Sequence, residues 1–275
     1  MKIAAFNVQR LGWEKVKKKV VRDIIIKIMS QYSVVLLVEV MDVRGVAMEL
    51  LLEDLNDYGD NRSNRYGMLC SEPLGPEGHK EKFVYFYREN EVEIIDSYQY
   101  RGNAEDVITR QPFVVLLKCR NTVVEDLVLI PVQTKPSNAE AELNALHDVV
   151  EDVRERWKND NIVILGDFNA DRPHLCMEEK ETLLISLAPY RWLIGDEVKT
   201  MTRNNNHTYD RIVVYGESML EAIVPDSAKA YNFREHLNLT EEEALTVSDH
   251  YPVEVELKQK PEGKTEVELV EQMWS

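Results

Sequence analysis

The chain has 275 residues with 33 basic and 49 acidic side chains, and its net charge of −16 argues against tight, nonspecific binding of nucleic acid, which rests on Lys and Arg neutralising phosphates. That acidity does not exclude a nuclease, because several carboxylates would face bound cations. No run approaches the roughly 20 apolar residues of a membrane span, and three scattered cysteines, Cys70, Cys119 and Cys176, read as reduced thiols rather than a disulfide framework.

In chain order, residues 3–8 and 34–40 read as buried strands rich in β-branched residues. Between them, residues 13–29 have helical spacing at Val16, Val20, Ile24 and Ile28, with a basic outer face at Lys17, Lys18 and Lys19. Residues 45–55 form a second amphipathic helix, and short strands follow at 83–88, 92–98, 113–119 and 127–133. Ser137 to Glu140 has the pattern of a capping box opening a long helix whose apolar stripe is Leu143, Leu146, Val150, Val153 and Trp157. Strands at 162–167, 211–214 and 253–257 complete the pattern, separated by a variable stretch. Strands outnumber helices and several follow one another directly. That pattern fits one α/β domain of two packed sheets with helices outside, followed by a mobile tail over residues 259–275.

The most informative stretch is Val163 to Asp171. An apolar run stops at Gly166 and hands over to Asp167, with Asn169 one residue beyond it, and period-2 alternation places both on one face of a strand end. A carboxylate beside an amide there suits a site for a hard metal and a phosphate. Glu39, Asp210 and Asp249, the last beside His250, stand at three more strand junctions.

Six motifs lie in order along the chain: residues 3–7 (IAAFN), 37–40 (LVEV), 71–75 (SEPLG), 166–171 (GDFNAD), 209–211 (YDR) and 248–254 (SDHYPVE). Together they resemble the deoxyribonuclease I family of the endonuclease/exonuclease/phosphatase superfamily, from about Lys2 to Lys258. Residues 142–146 and 239–245 resemble the deoxyribonuclease-I-like-1 branch most. The resemblance implies a DNase I-like domain over residues 1–258, a four-layer sandwich of two packed, mainly antiparallel sheets flanked by helices, and hydrolysis of double-stranded DNA, with weak sequence preference, to 5′-phosphate ends. It implies Mg²⁺ or Mn²⁺ as cofactor, with Ca²⁺ as a structural aid. Glu39, Asp167 and Asp249 would serve the metal. His250 would be oriented by Asp210 in a catalytic dyad, and Asn7, Asn169, Arg110 and His79 would contact substrate, Asn7 and Asn169 also assisting catalysis.

Several positions depart from the family pattern. A second catalytic His is expected where this chain has Gln133; the amide can hold a hydrogen bond, expected to Glu81, but cannot exchange a proton near neutral pH. If that His acts as general acid or base, its loss removes a factor of roughly 10² to 10⁴. Val38 replaces a Gln, His79 a Tyr and Gln111 a Glu, which suggests four changes around one cleft. Gln9 and Met41 replace groove-contacting arginines. Arg172 and His207 occupy the positions of the family's usual disulfide.

The primary reading is therefore a metal-dependent DNA endonuclease of reduced activity. The alternatives are a pseudoenzyme that binds through the nuclease scaffold and a hydrolase of another phosphoester. Actin binding is not expected, because the patch that carries it in one family member is replaced around Met68 to Cys70. A monomer is the family habit. The family is normally made with a signal peptide, and none is visible before the first strand; the resemblance points to a secretory, extracellular or endolysosomal setting, the missing signal peptide and lost bridge to the cytoplasm.

Overall fold

Successive side chains of a strand point to opposite faces, and both faces of the central strands here are apolar. That pattern requires cover on each side. In the computed structural model, which describes residues 1–103 and 106–261, twelve strands answer it by forming two stacked six-stranded sheets.

The first sheet contains β1 (Lys2–Leu11), β2 (Val34–Val40), β3 (Tyr66–Cys70), β4 (Lys82–Arg88), β11 (Lys229–Ala230) and β12 (Val253–Glu256), in the order β11-β12-β1-β2-β4-β3. The second contains β5 (Val92–Gln99), β6 (Phe113–Cys119), β7 (Asp126–Gln133), β8 (Ile162–Asp167), β9 (Tyr190–Trp192) and β10 (Asp210–Tyr215), in the order β5-β6-β7-β8-β10-β9. Only β1–β2 and β7–β8 run parallel, so the expected mainly antiparallel sandwich is present.

Alternate residues of β1 and β2 settle which layer they join. Ile3, Ala5, Val34, Leu36 and Val38 pack against Val115, Leu117, Leu129, Val163 and Leu165 between the sheets. Ala4, Phe6, Val8, Val35 and Leu37 face outward to the helices α1 (Trp13–Val16), α2 (Lys19–Met29) and α3 (Val46–Asp57). On the opposite face, α4 (Ala139–Trp157) lays Leu143, Leu146, Val150 and Val153 over β7 and β8. Four short helices, α5 (Met177–Thr182), α6 (Glu217–Glu221), α7 (Phe233–His236) and α8 (Glu241–Val247), lie in the connections.

Local expectations differ in instructive places. The expected helix over 13–29 breaks at Lys17–Lys18, where Lys18 is extended with ψ 108. The break shifts the buried face to Val21, Ile24, Ile25 and Ile28 and leaves Val20 74% exposed. The capping box at 137–140 does not form: Asn138 precedes α4 and its side chain makes no cap bond. Gln259 bridges to Thr122, and the Lys260 N–H donates to the Asn121 carbonyl. Within the expected tail, residues 262–275 lie outside the described residues.

Two backbone irregularities prepare the functional end. The pairing of β1 with β2 slips between Asn7 and Leu11, and that of β2 with β4 between Leu37 and Val40. Gln9, Arg10 and Glu39 take φ values of 45°, 56° and 62° there, a region that costs non-glycine residues free energy and gathers at functional sites. In β8, Gly166 has φ 141°, and a Cβ at that position would lie 2.1 Å from the Val132 carbonyl oxygen. Gly166→Ala is expected to cost about 3 kcal/mol or more, from strain and displacement of β7. Urea unfolding checks this: the midpoint should fall with little change in slope.

Candidate active site

The C-terminal ends of β1, β2, β7 and β8 converge with the ends of α8 and β10, and a cleft of about 420 Å³ opens there. Gln9, Arg10, Glu39, Met41, His79, Glu81, Arg110, Asp249 and His250 line it. Behind the cleft, Asp167 is buried and gathers three neighbours. Its Oδ2 accepts from Asn7 Nδ2 at 2.9 Å, its Oδ1 accepts from the Asn169 N–H at 3.0 Å, and His250 Nε2 stands 3.8 Å from Oδ2.

Asp167 and Asn169 do meet, although not through the strand pleat. β8 ends at Asp167, and Asn169 has φ 46°, so the two are joined by a turn in which the carboxylate caps the amide two residues on. The Asn169 side chain then donates to the carbonyl and hydroxyl oxygens of Thr134, each at 3.1 Å. The Asn7 amide likewise bonds Asp167 and also supports Glu39. Both amides are therefore committed to protein acceptors, and contact with phosphate would require them to exchange partners.

His250 Nδ1 lies 2.7 Å from Asp210 Oδ2, and both residues are buried, so the expected dyad is formed geometrically. This contact fixes the ring and turns Nε2 toward Asp167 and Asp249, at 3.8 and 3.7 Å. Burial pulls the imidazole pKa down, but Asp210, Asp167 and Asp249 outweigh it and hold the ring up to about 10. Burial pushes Asp167 up to about 6, against the pull of His250. Glu39 is raised by burial and by Asp167, and Glu81 is pushed up to about 7 by burial, opposed by Arg110. Desolvation dominates all three carboxyls, which is the electrostatic signature of a site that gains by holding a cation.

Gln133 contradicts one expectation. Its amide faces Glu39, with Nε2 3.5 Å from Oε1, rather than Glu81. Glu81 is occupied by Arg110, whose Nε lies 2.9 Å from Glu81 Oε2 and whose Nη2 reaches the His79 carbonyl. The supposed cluster of four changed positions also disperses. His79 and Gln133 are at the site, whereas Val38 is wholly buried between the sheets and Gln111 is not part of the cleft lining. Pleat direction explains Val38: it points inward while its neighbour Glu39, on a bulge, points to the cleft.

Two cationic struts escaped notice in the sequence. Lys15 Nζ bonds the carbonyls of Val8, Gln9 and Val247, tying β1 to α8 beside the cleft. Burial lowers its pKa to about 8, while Asp249 and Glu39 favour its charge. Arg211 is 1% exposed and donates to the carbonyls of Thr208, Ile194 and Ala170 while pairing with Asp196 at 2.8 Å. A basic residue next to Asp210 was the available signal, but nothing local distinguished a strut from a ligand. Elsewhere, His207 stacks on Tyr209, and the His147 ring lies 2.8 Å from the Tyr190 hydroxyl. All three cysteines are free.

A carboxylate nest beside a charged imidazole, at the open end of a two-sheet sandwich, defines a class of phosphoester hydrolase, and comparison with known proteins agrees. The model of the Endonuclease/Exonuclease/phosphatase family matches residues 4–250, and the chain belongs to that family. Over 258 residues it is 43% identical to Deoxyribonuclease-1-like 1 of Bos taurus, covering 93% of this chain and 80% of that protein. Over 262 residues it is 37% identical to Deoxyribonuclease-1 of the same species, covering 94% and 92%. A solved endonuclease/exonuclease/phosphatase family protein from Leptotrichia buccalis shares the fold, with a TM-score of 0.65 at 18% identity over 94% of this chain and 99% of that one. The chain is thus a hydrolase of the nuclease or phosphatase type, from a family generally dependent on divalent metal. Among the described residues, no helix is long and apolar enough to cross a membrane.

The Asp210–His250 contact predicts a measurable coupling. Asp210→Asn removes the strongest partner holding the ring charged, so His250 should titrate well below about 10, toward its ordinary value of 6.5. The sign follows from a raised histidine. The stability this pair contributes is complete below pH 6.5 and is lost as pH rises through about 10. Histidine NMR titration and unfolding at pH 6 and pH 10 test both statements.

Proposed function

We propose that this chain is a divalent-metal-dependent endonuclease that hydrolyses DNA to 5′-phosphate ends, slowed by the absence of a second titrating imidazole. The observation that carries this reading is the convergence of Asp210–His250, Asp167, Glu39 and Asp249 around one cleft. The relatives named for deoxyribonuclease activity supply the substrate class.

Glu39, Asp167 and Asp249 are the residues that would hold Mg²⁺ or Mn²⁺. The buried Oε1 of Gln133, which has no hydrogen-bond partner, is in keeping with an oxygen-seeking ion at this place. Among the described residues, the group whose ligand atoms all lie within 4.8 Å of one another is Asp167, Asp210 and His250, without Glu39 and Asp249, but the 2.7 Å contact between His250 and Asp210 suits an acid–base dyad better than two ligands. The bound cation would supply charge for the phosphoryl oxygens and a polarised water.

The remaining chemistry belongs to the chain. Arg110 and the exposed Arg10 face an incoming phosphate from two sides of the cleft. Asp167, held by Asn7 and the Asn169 N–H and committed to the cation, would orient the attacking water, whose proton passes to solvent. His250, held charged, gives a proton from Nε2 to the departing 3′-oxygen, while Asp210 keeps the ring oriented. In a two-histidine mechanism Gln133 would share that work, and its amide cannot. A ligand-binding protein without turnover is the second reading, favoured by this one residue.

Nicking of supercoiled plasmid with Mg²⁺ and Ca²⁺, then Mn²⁺, separates the readings. The native chain is expected to nick above an Asp249→Ala control, with Gln133→His faster by roughly 10²-fold. Nicking by Gln133→His alone would make the native chain a binding protein. Nicking by neither would sink the nuclease reading.

A further inference from the structure

Gln133 ends β7 directly opposite Asp167 of β8, and only 7% of it meets solvent. Its nearest polar neighbour is Glu39, at 3.5 Å from Nε2, beyond the roughly 2.7–3.2 Å of an ordinary N–H···O bond. Its Oε1 is buried with no hydrogen-bond partner. A desolvated amide thus has a weak contact at one end and none at the other, beside the half-buried Glu39 and with the buried Asp167 opposite it in the sheet register. Evicting water from both ends of an amide without replacing it is unfavourable, unless something else is bound there.

The two ends of a Gln amide exchange by a half-turn of the last torsion, so either can face Glu39. Oxygens about 3–3.5 Å apart are commonly two neighbouring ligands of one hard cation. The geometry points to Gln133 as a neutral oxygen ligand to the divalent cation, completing a set with Glu39 and Asp167. The inference rests on the metal-dependent reading above and adds a residue to it. The resemblance implies an imidazole at this position, a group that moves protons and favours borderline metals. The amide instead offers a hard oxygen, which binds Mg²⁺ or Ca²⁺ on terms nearer to those for Mn²⁺. The change at this position would then redirect the residue from proton transfer to cation retention.

Calorimetric titration of Mg²⁺ and Mn²⁺ into the full chain, without DNA, tests this independently of turnover. Gln133→Leu is expected to lose about tenfold in Mg²⁺ affinity, within the range seen when groups supporting a metal are removed. Gln133→Glu should bind Mg²⁺ at least as tightly as the native chain, and Gln133→His should lose more Mg²⁺ than Mn²⁺ affinity. Glu39→Gln serves as the reference for losing a ligand. If Gln133→Leu binds both ions like the native chain while Glu39→Gln does not, Gln133 is no ligand and the metal-dependent reading survives. If the Leu variant does not fold, Mg²⁺ binding to Gln133→Glu no tighter than to Gln133→His overturns the inference. If the native chain binds neither ion, both readings fall together.

Discussion

The side-chain hydrogen bond from Asn7 to Asp167 joins the ends of two sheets that share no strand, and the candidate active site is organised around it. Asn7 arrives on β1 of the first sheet and Asp167 on β8 of the second. Each is buried, so neither can be satisfied by water. The contact can form only if the apolar interior between the sheets sets their separation and slide correctly. Ile3, Ala5, Val163 and Leu165, a few residues upstream on the same two strands, supply that spacer. Core packing and chemistry are therefore one problem here: interdigitated side chains act as a ruler for a carboxylate about one strand turn away.

Around this bond the electrostatics are deliberately unfinished. Glu39, Asp167 and Asp249 approach one imidazole and one another, in a chain that already carries a net charge of −16. Part of their mutual repulsion is relieved by His250 staying charged and part by carboxyls being pushed toward protonation. A divalent cation would relieve the rest. The bulges in β1 and β2 belong to the same design. Without the left-handed backbone at Glu39, the pleat that sends Val38 into the core would not deliver Glu39 to the cleft. The strain is held by flanking strand pairs that could not relax without breaking the sheet.

The departures from the family pattern acquire different meanings once placed. Val38 exchanges one buried side chain for another between the sheets and leaves the cleft lining alone. Gln133 lies at the centre, touching Glu39 and sitting across from Asp167. Arg172 and His207, at the positions of the family's usual disulfide, stand on two neighbouring segments held instead through Asp171 and Tyr209. The Thr208 N–H donates to Asp171, and His207 stacks on Tyr209. The departures at the cleft are thus Gln133 beside Glu39 and the lining residues Gln9, Met41 and His79, while packing and hydrogen bonds stand where the family has a covalent tie.

The sequence by itself determined the sandwich, the positions of its long strands and nearly every residue of the candidate site. Alternating or continuous apolar runs are local signals, and acids at strand ends stand out against them. Short strands such as β3, β9 and β11 escaped because two to five residues carry too little periodicity. The break in the helix over 13–29 escaped, and it exposes Val20 while Val16, Ile24 and Ile28 of the expected stripe stay buried. Only the tertiary structure decided which neighbours the site residues choose. Gln133 turned to Glu39 rather than Glu81 because Arg110, from a distant loop, had taken Glu81. Lys15 and Arg211 became struts because backbone carbonyls, invisible in any motif, converged on them. Such choices depend on which groups lose their water together, and that is settled only when the two sheets close on each other.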